Sequence, residues 1–231
     1  MDRAGRVGYL GDVGHKYRVK ICGITNLEDA LAAERLGADY VGVVVEVPYT
    51  RRSLTAQQAQ PIFREVTIPR VALLMEPTRE RFGELIEVLQ PDAVQLLGRE
   101  TVEDVAELKA SQVPLWKSLH LPPAEAAEAV DLEGLRAAMH VYARAGAAMF
   151  VLDTKNTVSG VTHYGGTGLV SDWNLARELV KDAPLPVMLA GGLGPENVAQ
   201  AVVHFVENDF VTGVCLPVDG GRTIYAIDSG G

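Results

Sequence analysis

The sequence predicts an α/β protein whose parallel strands close into a single barrel. Apolar runs of strand length alternate along the chain with stretches of helical spacing, which is typical of a parallel sheet with helical crossovers. Several of the apolar runs are continuous rather than alternating, as expected for strands that are covered on both faces. Eight strand signals and seven clear helix signals in 231 residues favour a (β/α)8 barrel, the TIM-barrel fold, over an open sheet.

The eight predicted strands follow one another at regular intervals. They are RVKIC (18–22), DYVGVVVEV (39–47), RVALLM (70–75), DAVQLL (92–97), PLWKSLH (114–120), AMFVLD (148–153), PVMLA (186–190) and FVTGVCL (210–216). The seven predicted helices cover residues 27–37, 56–66, 79–89, 102–110, 123–146, 172–180 and 195–208. Thr25 and Glu28 have the spacing of a capping box for the first helix, so Cys22 should end strand one just before a turn. Pro195 suits the first turn of the seventh helix because its missing N–H would have no partner there.

Neither a low-complexity segment nor a long linker divides the chain. We therefore predict one barrel domain over residues 18–231 behind a short N-terminal arm over residues 1–17. The arm contains glycines, and we expect it to be loosely ordered or packed over the bottom of the barrel.

Composition favours a small molecule as the partner of this protein. Lys and Arg total 21 against 30 Asp and Glu, a net charge of −9, and the basic residues are scattered, so nucleic acid and anionic membranes have little support as partners. Cys22 and Cys215 are too few for a disulfide scaffold, and the N-terminus lacks the layout of a secretion signal. With no apolar stretch near the roughly 20 residues that span a bilayer, we expect a cytoplasmic protein with reduced thiols.

Polar residues at the carboxyl ends of the strands are the candidates for a site, because barrel enzymes carry their active sites at that face. These residues are Cys22, Arg51, Arg52, Gln95, His120, Asp153, Lys155, Gly191, Gly192 and Gly194. Together they offer a base, an acid, a guanidinium that could bind a carboxylate, and a glycine turn that could bind an anion.

Each candidate also has an ordinary structural interpretation. Cys22 is either a small buried hydrophobe or a reactive thiolate that serves as a base. Asp153 is either a cap or a general acid whose pKa a partly dry pocket raises, and the second role is favoured because no helix signal follows at once. Arg51 and Arg52 are either solvated charges or include one guanidinium that holds a planar carboxylate.

Glycines 191, 192 and 194 precede the seventh predicted helix. They form either a tight turn or an anion site at which the helix N-terminus presents free N–H groups. The segment HYGGTGLVSDW (163–173) is either a mobile flap over the site or a surface excursion. His120, His163 and His204 are expected to be ordinary half-buried groups, since their spacing makes no metal site.

Taken in order, these segments resemble the phosphoribosylanthranilate isomerase family of tryptophan biosynthesis. The resemblance runs from about residue 18 to about residue 207. The motifs that carry it are VKICGITNLEDA (19–30), GADYVGVVV (37–45), RRSLT (51–55), DAVQLLG (92–98), LDTK with GGTGLVSDW (152–173) and LAGGLGPENV (189–198).

This resemblance implies an Amadori rearrangement, in which a ring-opened aminoaldose becomes an aminoketose, on a phosphorylated sugar substrate. Cys22 matches the general base that removes the C2 proton, and Asp153 matches the general acid that helps to open the ribose ring. Arg52 matches the residue facing the anthranilate carboxylate, while Gly191 and Gly192 match part of the phosphate site. We also expect Gln95 among the substrate-binding residues. No cofactor or metal is implied.

Two features depart from the family pattern. Leu97 stands where the family commonly has a histidine. The chain ends FVTGVCLPVDGGRTIYAIDSGG, whereas strand eight of the family leads into a Ser-Ser-Gly turn and a final helix, and Pro217 lacks the N–H that a phosphate would need. We therefore expect the last helix of the barrel to be missing and its side to be covered by the N-terminal arm or by the second subunit of a homodimer.

The tail VTGVCLPVDGG is similar to the carboxyl-terminal stretch of short-chain dehydrogenases. The chain has no Tyr-x-x-x-Lys pair and no glycine fingerprint opening a first strand–helix unit, so a nucleotide-dependent oxidoreductase is not favoured. The alternative to a working isomerase is a divergent relative that has lost phosphate binding and binds another ligand or a protein partner.

Overall fold

The computed structural model describes residues 18–48, 50–123, 130–158, 161–164, 172–191 and 213–217. Within this part of the chain the strands are β1 (Arg18–Cys22), β2 (Tyr40–Val44), β3 (Arg70–Leu74), β4 (Ala93–Leu96), β5 (Leu115–Leu121), β6 (Ala147–Val158), β7 (Val161–Tyr164), β8 (Val187–Leu189) and β9 (Gly213–Pro217). All eight predicted strands are present. Their bounds agree with the prediction to within three residues, except that β6 extends past Asp153.

The described helices lie between these strands. They are α1 (Leu27–Arg35), α2 (Ala56–Glu65), α3 (Arg79–Leu89), α4 (Val102–Leu108), α5 (Leu132–Ala145) and α6 (Trp173–Lys181), with a 3-10 turn at Lys109–Ser111. The predicted N-terminal arm and seventh helix lie outside the described residues.

Side-chain caps explain where several helices begin. The prediction that Thr25 caps α1 is wrong, because the cap is Asn26, whose side chain accepts a hydrogen bond from Asp29 N at 2.8 Å. Helix α2 has a complete capping box between Thr55 and Gln58. Helix α5 begins later than the predicted residue 123, since Asp131 caps it by accepting from Gly134 N at 2.9 Å.

The sheet returns to its first strand. Strand β1 pairs in parallel with β2 on one side and with β9 on the other. Parallel pairings then run from β2 through β3, β4, β5 and β6 to β8, and β8 pairs with β9. Each of these eight strands therefore has two neighbours, which confirms a parallel α/β barrel of the TIM type. The prediction that the eighth helix is missing concerns residues outside those described.

Strand β7 was not predicted. The last four residues of β6 pair with it antiparallel, from Lys155 opposite Tyr164 to Val158 opposite Val161. The prediction that residues 163 and 164 begin a loop is wrong, because both belong to β7. The missed signal is a pair of β-branched segments, NTV and VTHY, joined by a Ser-Gly dipeptide that favours a hairpin turn.

The core has two layers. The larger one, the outer layer, lies between the sheet and the helices and includes Val43, Leu74, Leu96 and Phe150. The smaller one, the inner layer, fills the inside of the barrel, which we call the lumen. Its members are Cys22, Val44, Val47, Val71, Leu73, Ala93, Leu97, Trp116, Met149, Val151, Met188 and Ala190. Burial on both faces explains why the strand sequences are apolar without alternation.

One buried ion pair lies in the outer layer. Lys117 and Glu100 are 3% and 2% exposed, and Lys117 Nζ lies 2.8 Å from Glu100 Oε2. Glu100 Oε1 also accepts from Glu76 N at 2.9 Å and from Gly98 N at 3.0 Å. This carboxylate therefore ties together the loops that follow β3 and β4, and its hydrogen bonds compensate for its burial.

At the amino-terminal ends of the strands, ion pairs bind neighbours to each other. Arg18 pairs with Asp39 at 3.2 Å, and Arg70 pairs with Asp92 at 2.7 Å. Charges at this end of a barrel contribute to stability rather than to catalysis. Among the described helices, none has the length and apolar character that crossing a membrane requires.

Candidate active site

The candidate residues lie near the carboxyl ends of the strands, on the inner side of the barrel. Side chains along a strand alternate between faces, so every second residue of β1, β4, β5 and β6 points into the lumen. Met149 and Val151 belong to the inner layer, and Asp153 continues their face. Phe150 and Leu152 belong to the outer layer. The same alternation brings Cys22, Gln95 and Asp153, from three different strands, into one lumen.

Cys22 is the last residue of β1 and is 8% exposed. Its Sγ lies against β2, where a β-carbon placed on Gly42 would be only 2.9 Å from the sulfur. The glycine at position 42 therefore makes room for the thiol. Cys22 packs in the inner layer and also lies at the barrel mouth. Its burial therefore does not decide whether it is a small buried hydrophobe or a reactive thiolate.

Asp153 is a buried carboxyl group on the lumen face of β6. Burial raises the pKa of Asp153, because the charged form loses hydration. Smaller effects lower the pKa, namely the hydrogen bond from Thr154 N at 2.7 Å and the positive charges of Lys20 and Arg52. A carboxyl group in this setting keeps its proton to higher pH than an exposed one and suits proton donation.

The two arginines of the loop after β2 differ in their exposure to solvent. Arg51 is exposed, whereas Arg52 is partly buried. Its charge acts on Asp153. The loop folds back on its strand through hydrogen bonds from Leu54 N to Val44 O and from Glu46 N to Leu54 O, both 2.9 Å. Arg52 is thereby returned toward the barrel mouth.

The same loop is held from outside by helix α3. Both carboxylate oxygens of Glu46 accept from Arg81, at 2.9 Å from Nε and 2.6 Å from Nη2. Glu46 has a positive φ of 55°, a conformation that a non-glycine residue adopts at a cost. This two-pronged ion pair stabilises the loop that carries Arg52.

Gln95 lies deeper in the lumen and is 2% exposed. Its Oε1 accepts from Lys20 Nζ, and its Nε2 donates to Ser118 Oγ at 3.0 Å. Sequence reasoning missed Lys20, which is completely buried. The available signal was a lysine inside the apolar strand RVKIC, two residues before Cys22 and therefore on the same face.

His120 and Lys155 are the remaining described candidates from the strand ends, and Leu97 is the position that departs from the family pattern. Lys155 is partly buried on β6, two residues after Asp153. Leu97 is buried in the inner layer. His120 lies on β5 opposite Asp153 in the strand register. Burial, together with the charges of Lys117 and Lys155, lowers the pKa of His120 to about 3. The imidazole is therefore neutral at physiological pH.

Only Gly191 of the expected anion-binding turn lies within the described residues. Gly191 follows β8 with a positive φ of 93°, the conformation that glycine adopts most readily. Gly192 and Gly194 lie outside the described residues. Strand β9 ends with Pro217 opposite Cys22 in the register, so the proline that was noted in the sequence is at the same level of the barrel as the thiol.

Among the described residues, no group of three or more His, Cys, Asp and Glu side chains could hold a metal ion. The arrangement instead offers a thiol on β1 and, on β6, a carboxyl group whose pKa burial raises, with two basic residues whose charges act on that carboxyl. These groups can take a proton at one position of a small molecule and deliver one at another.

A family model, curated relatives and solved structures that are similar to this chain all point to one enzyme family. The family model described as N-(5'phosphoribosyl)anthranilate (PRA) isomerase matches residues 19–216. An N-(5'-phosphoribosyl)anthranilate isomerase of Methanocella arvoryzae is 38% identical over 214 residues, which cover 89% of this chain and 90% of that protein.

Solved structures are similar as well. Monomers generated from a dimeric phosphoribosylanthranilate isomerase of Thermotoga maritima match with a TM-score of 0.66 and 29% identity, covering 87% of each chain. A phosphoribosyl anthranilate isomerase in complex with reduced 1-(o-carboxyphenylamino)-1-deoxyribulose 5-phosphate matches with a TM-score of 0.65 and 27% identity, covering 91% of this chain and 89% of that one.

Proposed function

The chain belongs to the N-(5'-phosphoribosyl)anthranilate isomerase family, and we propose that it catalyses the Amadori rearrangement of N-(5-phosphoribosyl)anthranilate to the carboxyphenylamino-deoxyribulose phosphate. The observation that carries this proposal is the presence of Cys22 and a buried Asp153 on the lumen face of one barrel. Burial raises the pKa of Asp153, which supports its role as the acid of the pair.

The reaction needs one proton delivered and one removed. Asp153 donates its proton to the furanose ring oxygen as the C1–O bond breaks, and the lone pair of the anilino nitrogen forms the C1=N bond. Cys22, as the thiolate, then takes the proton from C2. The C2–H electrons form C1=C2 and the nitrogen regains its lone pair, and the resulting enol tautomerises to the ketone. The substrate supplies all the electrons, so no redox partner is required.

Binding roles follow from position at the mouth. We assign Arg52 to the anthranilate carboxylate, because a guanidinium can hold a carboxylate through two parallel hydrogen bonds. Gly191 and Gly192 are assigned to the phosphate, and the positive φ of Gly191 supports a turn whose backbone approaches an anion closely. Gln95 is assigned to the floor of the pocket, where Lys20 and Ser118 fix its amide.

A decisive test follows the fluorescence of freshly made phosphoribosylanthranilate on addition of purified protein. We expect fast loss with the wild type. In Cys22→Ala and Asp153→Asn, kcat should fall by on the order of 10²–10⁴, the usual contribution of a general acid or base. Wild-type protein that is folded but gives no loss above the uncatalysed rate would refute this function.

One observation favours the alternative, a relative that has lost phosphate binding. Pro217 lies at the end of β9 beside Cys22, and it lacks the backbone N–H that could donate a hydrogen bond to a phosphate. Calorimetric titration with inorganic phosphate separates the two functions. Saturable binding that Gly191→Val abolishes supports the isomerase, whereas a flat titration supports the alternative.

We also propose that the enzyme acts in the cytoplasm as a homodimer. The relative from Thermotoga maritima that is described as dimeric supports this assembly. Sedimentation equilibrium at micromolar concentration tests it, and a strictly monomeric mass would contradict it.

A further inference from the structure

Lys20 is a buried lysine that the reaction described above does not use. Its side chain is 0% exposed, although lysine is among the residues least often fully buried. It lies on β1, two residues before Cys22, so both side chains point into the lumen. Their β-carbons are separated by roughly two strand steps, about 7 Å.

The Lys20 ammonium is held from two other strands. Its Nζ donates to Gln95 Oε1 on β4 and lies 5.3 Å from the centre of the Trp116 ring on β5. Gln95 cannot easily turn its amide around, because its Nε2 is engaged with Ser118 Oγ at 3.0 Å. Tyr40 packs edge-on against the same Trp116 ring, with ring centres 5.2 Å apart. The ammonium is therefore fixed in position beneath the mouth.

Burying an ammonium is costly unless an anion compensates for it. The titratable groups that face this region from the described elements are Cys22 on β1, Tyr40 on β2, His120 on β5, and Asp153 and Lys155 on β6, with Arg52 in the loop after β2. His120 is neutral at physiological pH. The charge of Lys20 acts on Asp153 and lowers its pKa, against the stronger effect of burial.

We propose that Lys20 is a positioning residue of the isomerisation, whose fixed ammonium balances the single negative charge that passes from Cys22 to Asp153 during the reaction. This inference rests on the proposed function. Before the reaction the site holds a thiolate and a carboxylic acid, and afterwards it holds a thiol and a carboxylate. The site carries one negative charge at both stages, and a cation fixed beneath both groups stabilises each without reorganisation.

The test compares Lys20→Met, Lys20→Arg and Gln95→Glu with the wild type. Two quantities are measured: kcat and KM for phosphoribosylanthranilate, and the rate at which iodoacetamide modifies Cys22 at neutral pH. Peptide mass spectrometry separates Cys22 from Cys215, the second cysteine of the chain. The alkylation rate reports the thiolate directly and needs no turnover.

In Lys20→Met we expect kcat to fall about 100-fold with KM within about threefold, the pattern of an interaction made with the reacting groups rather than with bound substrate. Alkylation of Cys22 should slow about tenfold because the thiolate loses a neighbouring cation. Lys20→Arg keeps the charge and should recover part of both quantities.

Lys117→Met is the matched control. Lys117 is also a buried lysine of the sheet, but it faces outward and pairs with Glu100. Its removal should lower the melting temperature, while well below that temperature kcat and the alkylation of Cys22 stay within about threefold of the wild type.

Folded Lys20→Met with wild-type kcat and alkylation would overturn the role of Lys20. If this variant does not fold, Gln95→Glu decides, because it is isosteric and places a carboxylate against the ammonium. Slower alkylation of Cys22, which needs no bound substrate, then supports the inference, and an unchanged alkylation rate overturns it. Turnover that is absent from the wild type would instead refute the proposed function, and the role of Lys20 within it.

Discussion

A β-carbon on Gly42 would lie 2.9 Å from Cys22 Sγ and 3.1 Å from Leu73 Cδ1. The thiol and the glycine therefore occupy complementary space on neighbouring strands, and any side chain on β2 at this point would displace the sulfur. The position of the proposed base depends on a residue that has no chemistry of its own.

Gly42→Ala tests this dependence. We expect kcat to fall tenfold or more and the free energy of unfolding to fall by about 1–3 kcal/mol, the usual cost of overpacking. Gly83→Ala is the control, since Gly83 lies within α3 and nothing lies within 4 Å of its added β-carbon. It should gain about 1 kcal/mol from helix propensity and keep wild-type kcat. Equal kcat values in the two variants would contradict the prediction.

Asp153→Asn should change how stability depends on pH. Burial raises the pKa of Asp153 in the folded state above its ordinary value of 3.8, so folding favours the protonated form. The associated stability is present below that ordinary value and is lost as pH rises through the folded-state pKa. As pH rises from 3.8, the melting temperature of Asp153→Asn should therefore increase relative to that of the wild type. A constant difference would mean that Asp153 titrates normally.

His120→Gln should change the pH dependence of stability in the opposite direction. The pKa of His120 is lowered from 6.5 to about 3, so between these values the unfolded chain binds a proton that the folded protein does not. The stability due to neutral His120 is present above pH 6.5 and is lost as pH falls toward 3. Thermal melts should show the wild type losing more stability than His120→Gln on acidification. Parallel curves would contradict the burial of this imidazole.

Arg52→Lys should raise KM about tenfold and leave kcat nearly unchanged, because lysine keeps the charge but loses the planar fork that fits a carboxylate. Arg51→Lys is the neighbouring control, and its exposed side chain should tolerate the exchange. Steady-state kinetics on both variants checks this. A similar rise in KM for both would mean that the loop, rather than one guanidinium, contributes to binding.

The barrel and much of its mouth could be predicted from the sequence. Continuous apolar runs identify strands that are covered on both faces, and strand ends then indicate Cys22 and Asp153. The same property hid Lys20, because a strand buried on both sides gives no alternation that would distinguish the lumen from the outer layer. The residue pattern alone did not distinguish Arg51 from Arg52, and only the family resemblance singled out Arg52. The hydrogen bonds between Val44, Glu46 and Leu54, which fold the loop back on its strand, are not visible in the sequence.

The pairing of β1 with β9 also has a consequence for how the protein is made. A chain emerges from the ribosome with its N-terminal part first, and among the described strand pairings this one joins the residues most distant in sequence. Contacts of such long range form late and slowly. Cys22 therefore acquires one wall of its surroundings only after β9 has been synthesised, so a nascent chain halted before residue 213 would hold its thiol at an open sheet edge, exposed to oxidants and to chaperones alike.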